Sequence, residues 1–159
     1  MSDLRQLAAL PHFRAFLAAR LISNLGNGMG PVALAFAVLG LPNANATTLS
    51  WVLGAQSAVT VLMLPFGGVW ADRIGRVRAV AGSDMVLGVL LIGQALLFLT
   101  NTVTVPILVA VACVVGFLHA IWYPAFPTIA PAVVPAERLQ PANSLISGVS
   151  AGASILGGA

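Results

Sequence analysis

The sequence predicts an all-α membrane protein on three observations: too few charges for a water-facing surface, apolar runs of membrane-spanning length, and arginines confined to alternate loops. Of its 159 residues, 59% are hydrophobic and 7% are charged, and the mean hydropathy is +1.01. A soluble domain carries about a quarter charged residues, so a chain this apolar cannot cover a water-facing surface. Its natural solvent is bilayer hydrocarbon, about 30 Å thick, which takes roughly 20 helical residues to cross.

Four stretches reach that length, at residues 21–41, 49–70, 79–100 and 103–126. A fifth, 139–159, is still running where the sequence stops. Glycine and proline inside such runs are tolerated, because neighbouring helices satisfy the freed backbone groups. Arg5, Arg14 and Arg20 precede the first span, Arg73, Arg76 and Arg78 separate the second from the third, and Arg138 lies between the fourth and fifth. The other loops, 42–48 and 101–102, carry no charge. Every arginine therefore falls on one side, expected to be the cytoplasm, with the amino terminus on the cytoplasmic side of the cell (inner) membrane.

Ala44-Asn45-Ala46 looks like a signal-peptide cleavage site. The apolar run before it is too long for that role and is broken by Asn24, Gly26, Asn27 and Gly28, so an uncleaved first span is expected. Asn45-Ala46-Thr47 fits a glycosylation acceptor, a pattern short enough to arise by chance. Cys113 sits inside an apolar run, reads as a small buried hydrophobe, and leaves no disulfide to form. The net charge of +3 does not point to nucleic acid. All the basic residues are arginine, and they stand between apolar stretches rather than forming a solvated patch.

The segment 67–78 concentrates charge and glycine at the end of the second span. Gly68 is expected to let another helix approach closely, and Asp72 follows one turn later on the same face. A carboxylate there complements the positive N-terminal end of a facing helix by about 0.3–2 kcal/mol. Gly75 suits a tight turn. Arg73, Arg76 and Arg78 are available to acidic groups or anionic headgroups, and Arg73 and Arg78 also read as plain topology anchors. Candidate acidic partners are Asp84, about two turns beyond Arg78, and Glu137, and the sequence does not choose between them.

That segment resembles the signature loop between helices 2 and 3 of the major facilitator superfamily, Gly-x-x-x-Asp-Arg-x-Gly-Arg, at Gly68, Asp72, Arg73, Gly75 and Arg76. Val77 stands where a basic residue is common, and Arg78 restores the charge one place later. Residues 16–26 are similar to the start of helix 1 in the drug- and siderophore-exporting branch, and 135–145 to its approach to helix 5. Residues 155–159 resemble the start of the helix 5 antiporter motif, with Gly158 in place of its proline. The resemblance implies an incomplete N-terminal bundle of about four and a half transmembrane helices, its C-terminal half missing. It implies a secondary transporter that exports small amphipathic compounds (multidrug, macrolide-like or siderophore) by alternating access, with the signature loop latching the cytoplasmic side. A non-transporting structural or accessory membrane protein is the alternative, separable by whether the reading frame continues beyond Ala159.

Polar residues inside the spans are the remaining candidates for function, because such groups are expensive in a membrane. Asn24, Asn27, Gly28 and Pro31 share one face of the first span. That face either lines a water-filled substrate cavity or bonds a neighbouring helix through asparagine. Gln56 and Thr60 lie one turn apart on the second span and read mostly as packing contacts, with Gln56 also a cavity candidate. His119, Trp122, Tyr123 and Phe126 follow i, i+3, i+4, i+7 on the fourth. An aromatic wall with one titratable group suits an amphipathic, cationic ligand through stacking and cation–π contacts, and equally suits an aromatic belt at the interface. No metal, nucleophile or phosphate-loop pattern occurs, so neither an enzyme nor a cofactor is expected, and transport would draw on an ion gradient. The expected partners are the lipid bilayer, a small-molecule substrate and the remaining half of the transporter.

Overall fold

The computed structural model describes residues 11–158, and the apolar runs fold as five long helices. These are α1 (Pro11–Leu39), α2 (Ala46–Ile74), α3 (Arg76–Leu99), α4 (Val105–Ala125) and α5 (Leu139–Gly158). Between α4 and α5 the chain makes two 3₁₀ turns, Phe126–Thr128 and Ala136–Arg138, around a short helix, Ala130–Val133. No strand occurs among the described residues, as hydrocarbon requires: a helix satisfies its own backbone hydrogen bonds, whereas an open sheet edge does not.

Among the described residues four helices are long and apolar enough to span a membrane: α1 from Phe13, α2, α3, and α4 extended to Thr128. α1 begins ahead of the expected Leu21, so Arg14 and Arg20 lie within it rather than before it. α5 has the expected position but not the expected apolarity. Its sequence carries Gln140, Asn143, Ser144, Ser147, Ser150 and Ser154 among its aliphatic residues.

Helix ends follow local chemistry. Asn45 closes the start of α2 with a capping box: its Oδ1 accepts from the Thr48 backbone N–H at 3.0 Å, and its own N–H donates to Thr48 Oγ1 at 3.3 Å. The segment that fits a glycosylation acceptor is thus a helix start. Gly75 alone joins α2 to α3. Its N–H donates to Ala71 O at 3.0 Å, and its carbonyl accepts the first bond of α3 from Ala79 N at 2.9 Å. It does so at φ +95°, a conformation that favours glycine.

The chain divides into two compact units, one holding α1 to Ala35 together with everything from Ile129, the other Phe36–Thr128. In the second unit α2 and α4 run in the same direction. Gly67 lies against the carbonyl of Ala120, and Gly116 against the carbonyl of Gln56, so closely that no Cβ fits at either. Trp70 meets Phe117 edge-to-face at 5.2 Å. The close approach expected at Gly68 therefore falls one residue earlier. A Cβ on Gly68 would meet only Pro124 Cβ at 3.9 Å, an ordinary contact. In the first unit α1 and α5 also run in the same direction, with Gly28 against Ser154 O and Gly157 against Leu25 O.

These contacts set the sites where added volume does harm. Gly67→Ala and Gly116→Ala should each destabilise the protein by about 1–3 kcal/mol through overpacking. Gly54→Ala and Gly93→Ala, which meet open space, should be neutral or slightly stabilising. Thermal melts in detergent separate the two pairs, and equal melting of all four variants would show that the α2–α4 seam tolerates a methyl group.

Candidate functional site

Two groups of side chains carry chemistry in the second unit. At the α2–α3 joint, Arg76 Nε donates to Asp72 Oδ1 at 2.7 Å across the glycine corner. The arginine has found a carboxylate on its own loop, rather than Asp84 or Glu137 as the sequence suggested. Glycine at 75 makes this possible by turning the chain sharply between the two residues. Both side chains are at least half exposed, so the pair contributes no more than about 0.5 kcal/mol. Arg73 and Arg78 are exposed beside it, giving a surface of three cations and one anion. Asp84 is half-buried one helical stretch away on α3.

The second group lies on the α2–α4 seam. Thr60 Oγ1 bonds both the Gln56 carbonyl of its own helix (2.9 Å) and the Gly116 carbonyl of α4 (3.1 Å). Gln56 Nε2 stands 3.5 Å from His119 Nδ1, the outer limit of a hydrogen bond. His119 tilts against Tyr123 at 5.6 Å. Tyr123 meets Trp122 edge-on at 5.7 Å, and Trp122 stacks on Phe126 at 4.6 Å with the planes 5° apart. The i, i+3, i+4, i+7 spacing thus yields a continuous aromatic ladder with a polar foot at Gln56. Tyr123 is exposed, while His119, Trp122 and Phe126 are half-buried.

In the first unit, Asn24 takes the helix-bonding role. It accepts from Arg20 Nη2 at 3.0 Å and donates from Nδ2 to Ser150 Oγ of α5 at 2.8 Å. Arg20 and Asn24 are both buried, whereas Asn27 and Pro31 on the same expected face are exposed. Glu137 is exposed on the 3₁₀ turn before α5. Sequence reasoning missed Gly67, Gly116 and Ser150 as contact residues. Gly67 stood next to the motif glycine, and only the register of the seam separates them.

The family model of the Major Facilitator Superfamily matches residues 16–159. The chain belongs to that superfamily. It matches no curated protein and no solved structure. With its four membrane-length helices, this superfamily chain is a multi-pass membrane protein of transporter type. Members of this superfamily are typically transporters rather than enzymes.

The joint of this superfamily chain should depend on its glycine more than on its ion pair. Gly75→Val forces a β-branched residue to φ +95° and should destabilise by about 1–3 kcal/mol. Asp72→Asn should stay within about 0.5 kcal/mol of the parent. Membrane abundance and thermal melts check both, and a larger loss for Asp72→Asn would mean that the pair holds the joint.

Proposed function

We propose that this chain forms one wall of the substrate path in a secondary exporter of small amphipathic compounds, working by alternating access driven by an ion gradient. The observation that carries the reading is the α4 ladder of His119, Tyr123, Trp122 and Phe126 with Gln56 at its foot. Aromatic faces offer stacking and cation–π contact to flat or cationic compounds, and the amide and imidazole fix orientation by hydrogen bonding. The other wall would come from a second helical bundle, because sites of this kind lie between two bundles that rock about them. The amino terminus would be cytoplasmic in the inner membrane, with the Asp72–Arg76 joint serving as the latch of the closed cytoplasmic side.

An export assay in the protein as its gene encodes it tests the site. His119→Ala and Tyr123→Ala should each shift accumulation of some compounds by roughly two- to thirtyfold, the span of one stacking or cation–π contact, and leave others alone. Asp72→Asn should depress export of every compound alike at normal membrane abundance, because a latch acts on the cycle and not on the solute. A uniform loss for His119→Ala and Tyr123→Ala would make the ladder a packing element and remove the substrate reading.

Orientation is tested separately on a Cys113→Ala background. Asn43→Cys and Asn101→Cys should react with an impermeant thiol reagent in intact cells, and Val77→Cys should not. Labelling at Val77→Cys alone would invert the topology.

A further inference from the structure

We propose that Thr60 is a positioning residue for His119: its hydroxyl fixes the register of α2 on α4 and so decides where the imidazole stands. The consequence for compound choice rests on the reading of the α4 ladder as a substrate wall.

A threonine inside a helix commonly returns its hydroxyl to the carbonyl four residues back, a bond that needs no neighbouring helix. Thr60 does this with the Gln56 carbonyl at 2.9 Å, and its Oγ1 also stands 3.1 Å from the Gly116 carbonyl of α4. One hydroxyl proton is thus shared between two helices. The first bond alone satisfies the hydroxyl in hydrocarbon, so the second serves the seam.

One turn of α2 grips Gly116 twice. A Cβ on Gly116 would meet both the Gln56 carbonyl and Thr60 Oγ1, while the Gly116 carbonyl accepts from that same Oγ1. The close contacts at Gly67 and Gly116 limit how near the helices come, but repulsion does not draw an atom to a place. A hydrogen bond does, because it weakens steeply with distance and angle. Two such contacts join α2 to α4 here. Gln56 to His119 stands at the outer limit, 3.5 Å, and Thr60 to Gly116 is the shorter at 3.1 Å. The Thr60 bond therefore sets the register, and the amide and imidazole follow it.

His119 comes three residues after Gly116, about 4.5 Å along α4. Its side chain leans back toward the start of the helix, over the turn that Gly116 occupies. Gln56 opens the α2 turn that Thr60 closes. A slip at Gly116 therefore carries ring and amide past each other.

Two measurements test this in the protein as its gene encodes it. The first reads register without transport. Gln56→Cys and His119→Cys are combined with Cys113→Ala, membranes are treated with a short bis-methanethiosulfonate reagent, and the bridged peptides are quantified by mass spectrometry. Adding Thr60→Val, which keeps the shape and removes the hydroxyl, should slow bridging by about two- to tenfold, the span of one net hydrogen bond. Adding Thr60→Ser, which keeps the hydroxyl, should leave the rate near that of the parent. Equal rates for Thr60→Val and Thr60→Ser would overturn the proposal. Absence of bridging with Thr60 in place, when both thiols react after denaturation, would overturn it as well.

The second measurement is export. Thr60→Val should shift the same compounds as His119→Ala, and Thr60→Ser should not. On the His119→Ala background Thr60→Val should change nothing further, because the group it positions is gone. Effects that simply add would overturn the positioning role. If bridging needs the hydroxyl while every compound responds alike, Thr60 still places position 119 and only the substrate reading falls.

Discussion

Lipid is as apolar as leucine, so two membrane helices gain little by hiding leucine from their surroundings. Association must then come from close fit and from hydrogen bonds made in the absence of water. The structure meets that constraint with glycine. Gly67 and Gly116 bring the backbones of α2 and α4 together, and Gly28 and Gly157 do the same for α1 and α5. Each seam then places a hydrogen bond beside its glycines, Thr60 to the Gly116 carbonyl in one and Asn24 to Ser150 in the other. With no side chain at the glycine contacts, the helices come close enough for the Thr60 and Asn24 side chains to bond across.

The same requirement explains why polar residues sit where they do. A span that must cross hydrocarbon admits a polar group only where a neighbour answers it. Gln56 is answered by His119, and Asn24 by Arg20 and Ser150. These contacts hold helices together, and they also place polar atoms beside an aromatic ladder on α4. Binding chemistry and packing chemistry share residues here, so substitutions at Gln56 or His119 need a readout that separates substrate choice from assembly.

Much of the architecture was legible because it depends on composition. Apolar runs gave the helices, and the turn at Gly75 followed from a glycine between two helical segments flanked by arginine. What was not legible depends on register and competition. Gly67 and Gly68 are adjacent and chemically identical, and only the rotation of α2 against α4 decides which one touches. Sequence reasoning offered the loop arginines two acidic partners, Asp84 and Glu137, and assigned Asp72 to a helix end. Arg76 instead pairs with Asp72 four residues back, brought round by the positive φ of Gly75. At Asn45 the short acceptor pattern carried no weight, and Thr48 three residues on supplies a capping box. The α4 ladder was readable as a shared face, because helical spacing alone puts those rings together. Its contact with Gln56 was not, because it crosses between helices.

The parallel packing within each unit constrains α5, the helix whose composition is least suited to lipid. Two membrane helices that run in the same direction need an odd number of crossings between them. α2 and α4 are separated by α3, and α1 and α5 by α2, α3 and α4. α5 lies along α1 in the same direction, with Gly157 against Leu25 and Gly28 midway along a membrane-length helix. A helix fixed there shares the slab that α1 crosses, whatever its own hydropathy. It cannot retreat to the interface without breaking the Asn24–Ser150 bond and the glycine contact together. Ser150 and Ser154 are therefore held level with Asn24 and Gly28 of α1.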